Sequence, residues 1–99
     1  MEREIVYTKK AIEEIRKDWA YLEENASSQA AQNLLENIVV LESRLAKYPE
    51  SGHPSSAVDK NIRYLKVQKH KILFYRYTTK TITVLALFDT RQDPKKRPY

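Results

Sequence analysis

The chain has no cysteine, one glycine in 99 residues and, after residue 59, only two acidic side chains. Each scarcity excludes something. Without cysteine there is no disulfide, no thiolate metal site and no thiol nucleophile. One glycine leaves little scope for long irregular loops. The longest purely apolar run, Val84–Phe88, is far too short to span a bilayer, so no membrane partner is expected. The opening MEREIVY lacks the apolar stretch of a secretory signal, so a cytoplasmic location is expected.

The shortage of acid is local. Residues 60–99 carry 11 Lys and Arg against Asp89 and Asp93, a net of +9. Residues 1–59 carry 7 against 11, a net of −4, and the whole-chain value of +5 hides the split. A concentrated positive region attracts anions such as nucleic acid or an acidic protein segment.

What is present is globular in character: 41% hydrophobic and 10% aromatic residues, enough for one domain over residues 1–99 and no second core. Glu4–Tyr7 is a short β-prone run. Thr8 is a fitting N-cap for a helix whose stripe is Ile12, Ile15, Trp19 and Leu22, ending near Glu24–Ala26. On that stripe Trp19 is expected in the core or the hairpin packing. Ser27 or Ser28 caps a second helix with Leu34, Ile38, Leu41, Leu45 and Tyr48 on one face, widened by Leu35 and Val39 and stopped by Pro49. So short a connection makes the helices an antiparallel hairpin.

Pro49–Asn61, with two prolines, the glycine and three serines, reads as loop. The period then changes from helical to extended. Ile62–Val67, Lys71–Tyr77 and Thr81–Phe88 are rich in β-branched and aromatic residues, and their hairpin-short links predict an antiparallel meander. The last run is apolar at nearly every position, as a central strand covered on both faces requires. The expected fold is α+β: a two-layer β-α-α-β-β-β domain, its helix hairpin packed on an antiparallel sheet that the first strand joins.

A short strand, a helix hairpin, LAKYPESG (Leu45 to Gly52), KILFYR (Lys71–Arg76) and LFDTRQDP (Leu87–Pro94), in that order, resemble the RelE/ParE superfamily of bacterial toxins. The resemblance implies the toxin half of a type II toxin–antitoxin pair, held in a heterodimer or heterotetramer by a cognate antitoxin. It implies one of two targets. RelE-like members cut mRNA in the ribosome; ParE-like members poison DNA gyrase. The long hairpin and the R-x-D-P ending are more similar to the ParE branch. A member that keeps only the fold and the antitoxin contact, without toxicity, is the third reading.

A metal-independent ribonuclease needs a base, cations for the phosphate and an acid. The candidates are Lys71, Arg76, Arg91, His70 and Tyr99, with Lys66, Tyr75 and Tyr77 as further possibilities. Alternation places Lys71 with Leu73, Tyr75 and Tyr77, and Arg76 with Ile72 and Phe74, so the two cations face opposite ways. His70, between Lys69 and Lys71, also reads as a solvated turn residue, and His53 likewise. Arg91, between Asp89 and Asp93, reads equally as a tail-pinning ion pair. The aromatic group Tyr64, Phe74, Tyr75, Tyr77 and Phe88 is read as sheet packing before base stacking. For antitoxin or target binding the candidates are Arg63, Lys66, Arg91, Lys95, Lys96 and Arg97. Two separated histidines without an acidic cluster make no metal site, and no cofactor is expected.

Overall fold

Thr8 decides where the first strand stops and the first helix starts. Strand β1 (Glu4–Tyr7) leads into Thr8, whose backbone stays extended while its Oγ accepts from the Ala11 amide at 3.1 Å. The same hydroxyl donates to the Leu85 carbonyl at 3.1 Å, and the Thr8 amide donates to Val84. The cap is thereby also a tie to the last strand. Helix α1 (Lys9–Asn25) ends at Ala26, and Ser27 Oγ accepts from the Ala30 amide to start α2 (Ser28–Lys47). The two-residue connection makes the expected antiparallel hairpin. The computed structural model describes residues 2–55, 59 and 61–99.

After α2 the chain makes a single 3-10 turn, Pro49–Ser51, and a two-residue strand, β2 (His53–Pro54). The segment read as pure loop therefore contributes a strand; residues 56–58 and 60 of it lie outside the described residues. Then come β3 (Ile62–Gln68), β4 (Lys71–Tyr77) and β5 (Thr81–Asp89). The sheet has five strands in the order β1-β5-β4-β3-β2.

Pairing is antiparallel from β2 through β5, as the short links require, but β1 lies parallel to β5 with Glu4 opposite Thr81 and Tyr7 opposite Val84. The sheet is thus mixed, which corrects the all-antiparallel expectation. Parallel neighbours need a long crossover, and the helix hairpin with the meander supplies it. β5 sits between β1 and β4, so it is an interior strand as its composition demands.

Both faces of the sheet are covered. The main core joins Ala11, Leu34, Ile38, Leu41 and Leu45 of the helices to Leu65, Leu73, Tyr75, Ile82, Val84 and Leu87. A smaller cluster on the other face holds Ile72, Phe74, Ala86 and Phe88. A β-bulge makes this possible in β5: Phe74 pairs with Ala86 but Tyr75 with Val84, leaving Leu85 over. The extra residue shifts the alternation, so Val84 and Leu87 both face the helices while Ala86 faces away.

Ala11 is the only fully buried residue of α1. The small side chain lets the helix lie close on the sheet; Ile15 and Leu22 of its stripe pack against the core, and the other two turn outward. Ile12 and Trp19 are consequently exposed, Trp19 at 37%. Trp19 is not core; it lines an open groove between α1 and α2.

The glycine has a steric reason. Tyr75 is fully buried, and its hydroxyl donates to the Pro49 carbonyl at 2.6 Å and accepts from the Gly52 amide at 3.0 Å. A Cβ on Gly52 would lie 2.5 Å from that hydroxyl and 2.8 Å from the Tyr64 carbonyl oxygen. Burial raises the Tyr75 pKa above the ordinary phenol value.

Candidate functional site

The strongly basic part of the sequence folds into β3, β4, β5 and the tail, and its charged groups separate onto two sides of the sheet. On the helix side, β4 begins with Lys71. Its ammonium lies 2.8 Å from Asp18 of α1 and 3.2 Å from Asp89 at the end of β5, with the side chain only 16% exposed. Asp89 also holds Arg91 through two bonds, Nε to Oδ1 at 3.0 Å and Nη2 to Oδ2 at 2.7 Å, and accepts from the Arg91 amide. These contacts, the Arg91 hydrogen bond foremost, hold the Asp89 carboxyl well below the usual carboxylate range, and Asp89 in turn raises Arg91.

Glu14 completes this corner by accepting from the Leu87 amide at 3.2 Å, on a stretch of β5 that β1 does not reach. The corner encloses a polar pocket of about 230 Å³ lined also by Lys17 and Gln92. His70, in the β3–β4 turn, meets it through its backbone: its carbonyl accepts from the Thr90 amide and hydroxyl. The LFDTRQDP ending is therefore a clasp. Asp89 collects two cations, Thr90 ties the neighbouring turn, and Asp93 caps the turn Pro94–Lys96 with a bond from the Lys95 amide.

On the other side of the sheet the tail returns across β3 and β4. The Arg97 guanidinium stands 4.8 Å from the Tyr64 ring centre and 5.1 Å from that of Phe74, positions suited to cation–π attraction. The Tyr99 ring is 5.6 Å from Phe74, and the His53 ring 5.4 Å from Tyr64. Arg97 Nη2 donates to Ser55 Oγ, and that hydroxyl donates to the Tyr99 carbonyl. Arg76 belongs to this side, paired with Asp59 at 2.6 Å and still half exposed. Lys66, opposite Ile72 in the ladder, is exposed here as well.

The five ribonuclease candidates therefore fall into two groups. Lys71, Arg91 and the backbone of His70 meet at the clasp, where Asp18 and Asp89 between them balance the two cations. Arg76 and Tyr99 lie across the sheet from them. The alternation that set Lys71 against Arg76 holds. Of the binding candidates, Lys66 and Arg97 share the tail side, and Lys95 and Lys96 are exposed in the turn before it. Arg63 instead reaches the chain before β2, bonding Gly52 O at 2.8 Å and Glu50 O at 3.3 Å. The aromatic group also divides: Tyr75 and Tyr77 face the helices, while Tyr64, Phe74 and Phe88 face the tail. Sequence reading missed His53 as a neighbour of Tyr64, because β2 was read as loop. It also missed Asp18 as a partner of Lys71, which helical periodicity could have placed beside the buried stripe. Among the described residues no group of His, Asp and Glu is arranged to hold a metal ion, and no helix is long and apolar enough to cross a membrane.

The model of a family described as the ParE toxin of type II toxin–antitoxin system, parDE, matches residues 5–94. No curated protein matches the chain. Among solved structures the chain is similar to the chromosomal ParDE toxin–antitoxin system from P. aeruginosa, with a TM-score of 0.70 at 16% identity, covering 88% of this chain and 95% of that one. It is similar to the E. coli DinJ-YafQ toxin–antitoxin complex at TM-score 0.66 and 15% identity, covering 92% and 96%. It is also similar to the YoeB dimer from Staphylococcus aureus at 0.63 and 13%, covering 87% and 94%. At these identities the likeness to each is one of fold.

Proposed function

The chain belongs to the ParE toxin family of type II toxin–antitoxin systems, and on that premise we propose that it is a cytoplasmic toxin that inhibits growth by poisoning DNA gyrase as a binding protein. The observation that carries the gyrase reading is the dispersal of the candidate catalytic groups. Lys71 and Arg91 are both committed to Asp89, Arg76 and Tyr99 lie on the opposite face, and Tyr75 is buried with its hydroxyl bonded to backbone. A binding protein needs no such convergence; it needs an exposed, charged, rigid surface, which Lys66, Lys95, Lys96 and Arg97 supply on the tail side. A supercoiling and cleavage assay with gyrase, ATP and purified chain tests this. Accumulation of cleaved DNA is the expected result, and unchanged gyrase activity at large excess rejects it.

One observation favours the second reading, a ribosome-dependent ribonuclease. His53, Tyr64, Arg97 and Tyr99 are grouped on one side, and they include an imidazole, a guanidinium and phenols. Primer extension on mRNA from induced cells distinguishes it: new cleavage ends that vanish in Arg97→Ala and His53→Ala replace the gyrase reading.

The partner on either reading is a cognate antitoxin, in a heterodimer or heterotetramer. Two of the similar structures are a ParDE system and a DinJ-YafQ complex, which supports such a partner. The positive sheet-and-tail region suits an acidic antitoxin segment. Its binding should weaken as salt rises.

A further inference from the structure

One end of the sheet carries positive charge that the fold does not balance. Lys66 near the end of β3, Lys69 in the turn to β4, and Lys95, Lys96 and Arg97 in the tail are all exposed. The four lysines make no ion pair among the described residues. The clasp explains the surplus. Asp89 is taken up by Lys71 and Arg91, and Asp93 caps the turn Pro94–Lys96. No other acidic residue follows residue 59. We propose that this surface grips the phosphate backbone of duplex DNA without regard to base sequence, so that the chain touches the DNA held by gyrase as well as the enzyme. The contact with gyrase-held DNA rests on the gyrase reading; the affinity for duplex DNA does not.

The make-up of the surface selects a phosphate backbone over an acidic protein. A protein partner is held chiefly by apolar and aromatic anchors at the centre of its interface. Among the described residues, the large apolar side chains left exposed all precede Pro49 except Tyr99, whose ring packs against Phe74. Nucleic-acid interfaces are instead polar and strongly positive. The type of cation agrees. Four of the five are lysines, flexible point charges that suit phosphate without the planar fork of a guanidinium. The one arginine, Arg97, lies over the Tyr64 and Phe74 rings and is held by Ser55 Oγ.

The backbone under these lysines is fixed. Thr90 donates from its amide at 2.8 Å and its hydroxyl at 3.3 Å to the His70 carbonyl, which ties the turn of Lys69 to the start of the tail. Asp93 accepts from the Lys95 amide at 3.0 Å and sets the next turn. Lys66 stands on a paired strand, opposite Ile72. Charges presented on a fixed frame lose little freedom when they meet a ligand.

Fluorescence anisotropy of a labelled duplex of about 20 base pairs, titrated with the purified full chain and no gyrase, reads the contact directly. The expected result is a dissociation constant on the order of 10 µM near 0.1 M salt, with log K falling against log salt at a slope of about −3 to −4. Duplexes of unrelated sequence should give the same slope. Lys95→Glu with Lys96→Glu should weaken binding at least about tenfold and make the slope shallower by about 2. Lys9→Glu with Lys10→Glu changes the net charge equally, but both lysines are exposed at the start of α1, outside this surface. That pair should leave the slope unchanged. Both double variants should keep the circular dichroism of the parent chain, since all four lysines are exposed. Absence of binding, equal loss in both double variants, or tighter binding to single-stranded RNA of the same length overturns the proposal. So does an absence of duplex binding together with a loss of affinity for DNA-free gyrase in Lys95→Glu with Lys96→Glu, since the surface then belongs to an acidic patch of the enzyme. Duplex binding with unchanged gyrase activity rejects the gyrase reading alone. Cleaved DNA that accumulates without duplex binding rejects the DNA surface alone.

Discussion

The two faces of the sheet are closed in different ways. On one, α1 and α2 bring an apolar surface, and Ala11, Leu34, Ile38, Leu41 and Leu45 join the strands in the main core. On the other, Ile72, Phe74, Ala86 and Phe88 make a smaller cluster, four buried residues among those described, and part of its cover is the tail, held by Arg97, Tyr99 and Ser55. The same three strands serve both, because their side chains alternate. The lesson is that the helix side supplies stability and the tail side supplies a surface. A cover made from a guanidinium, a phenol and a serine contributes less burial than two helices, and it can carry positive charge where an aliphatic cover cannot.

The largest expected effect is on the helix side. Leu34 is completely buried, and Leu34→Ala should destabilise the chain by about 3 kcal/mol in urea unfolding. If removing Arg97, Pro98 and Tyr99 together proves as damaging, the contrast between the two covers fails. Next, Gly52→Ala should cost about 2 kcal/mol, because its new methyl collides with the Tyr75 hydroxyl and the Tyr64 carbonyl. A smaller loss in Gly52→Ala than in Gly52→Ala combined with Tyr75→Phe would show that the hydroxyl moves aside.

Asp89 should come third, and it carries a pH signature. Its folded-state pKa is held below the unfolded value of about 3.9. Its contribution is therefore complete above about pH 4 and disappears as pH falls through the folded value. Asp89→Asn should destabilise by about 1–2 kcal/mol at neutral pH and flatten the acid limb of the stability profile. An unchanged limb would mean that other carboxylates set it. The smallest effect belongs to the tail: Arg97→Ala should cost about 0.5–1 kcal/mol. The same change should reduce the salt dependence of antitoxin binding, measured by titration calorimetry at two ionic strengths, and a slope identical to that of the unaltered chain would place the antitoxin elsewhere.

Local patterns in the chain carried a good deal of this. Thr8, Ser27 and Pro49 bound the helices where capping chemistry says they should, since a cap depends on a few adjacent residues. The alternation of β4 placed Lys71 and Arg76 on opposite faces without any tertiary information. Less was legible in β5, where almost every residue is apolar. A bulge at Leu85 leaves no mark in such a run, so the facing of Val84, Ala86 and Leu87 could not be read. The same holds for Trp19: helical spacing puts it on the apolar stripe, but the small Ala11, facing the sheet, sets the rotation of α1 and turns Trp19 outward. The family motifs located the LFDTRQDP segment but not its role, because Asp18, the second carboxylate on Lys71, comes from a helix more than fifty residues earlier.

The sequence by itself determined the hairpin, the meander, the uneven charge and the family to which they belong, since each rests on periodicity, caps or residue order within a short window. Only the tertiary structure decided that β1 joins the sheet in parallel, that Asp89 gathers Lys71 and Arg91, that the tail folds over Tyr64 and Phe74, and that an apolar groove stays open between the helices. Those are contacts between residues far apart in the chain. They depend on how whole elements rotate and pack, and no local pattern encodes that rotation.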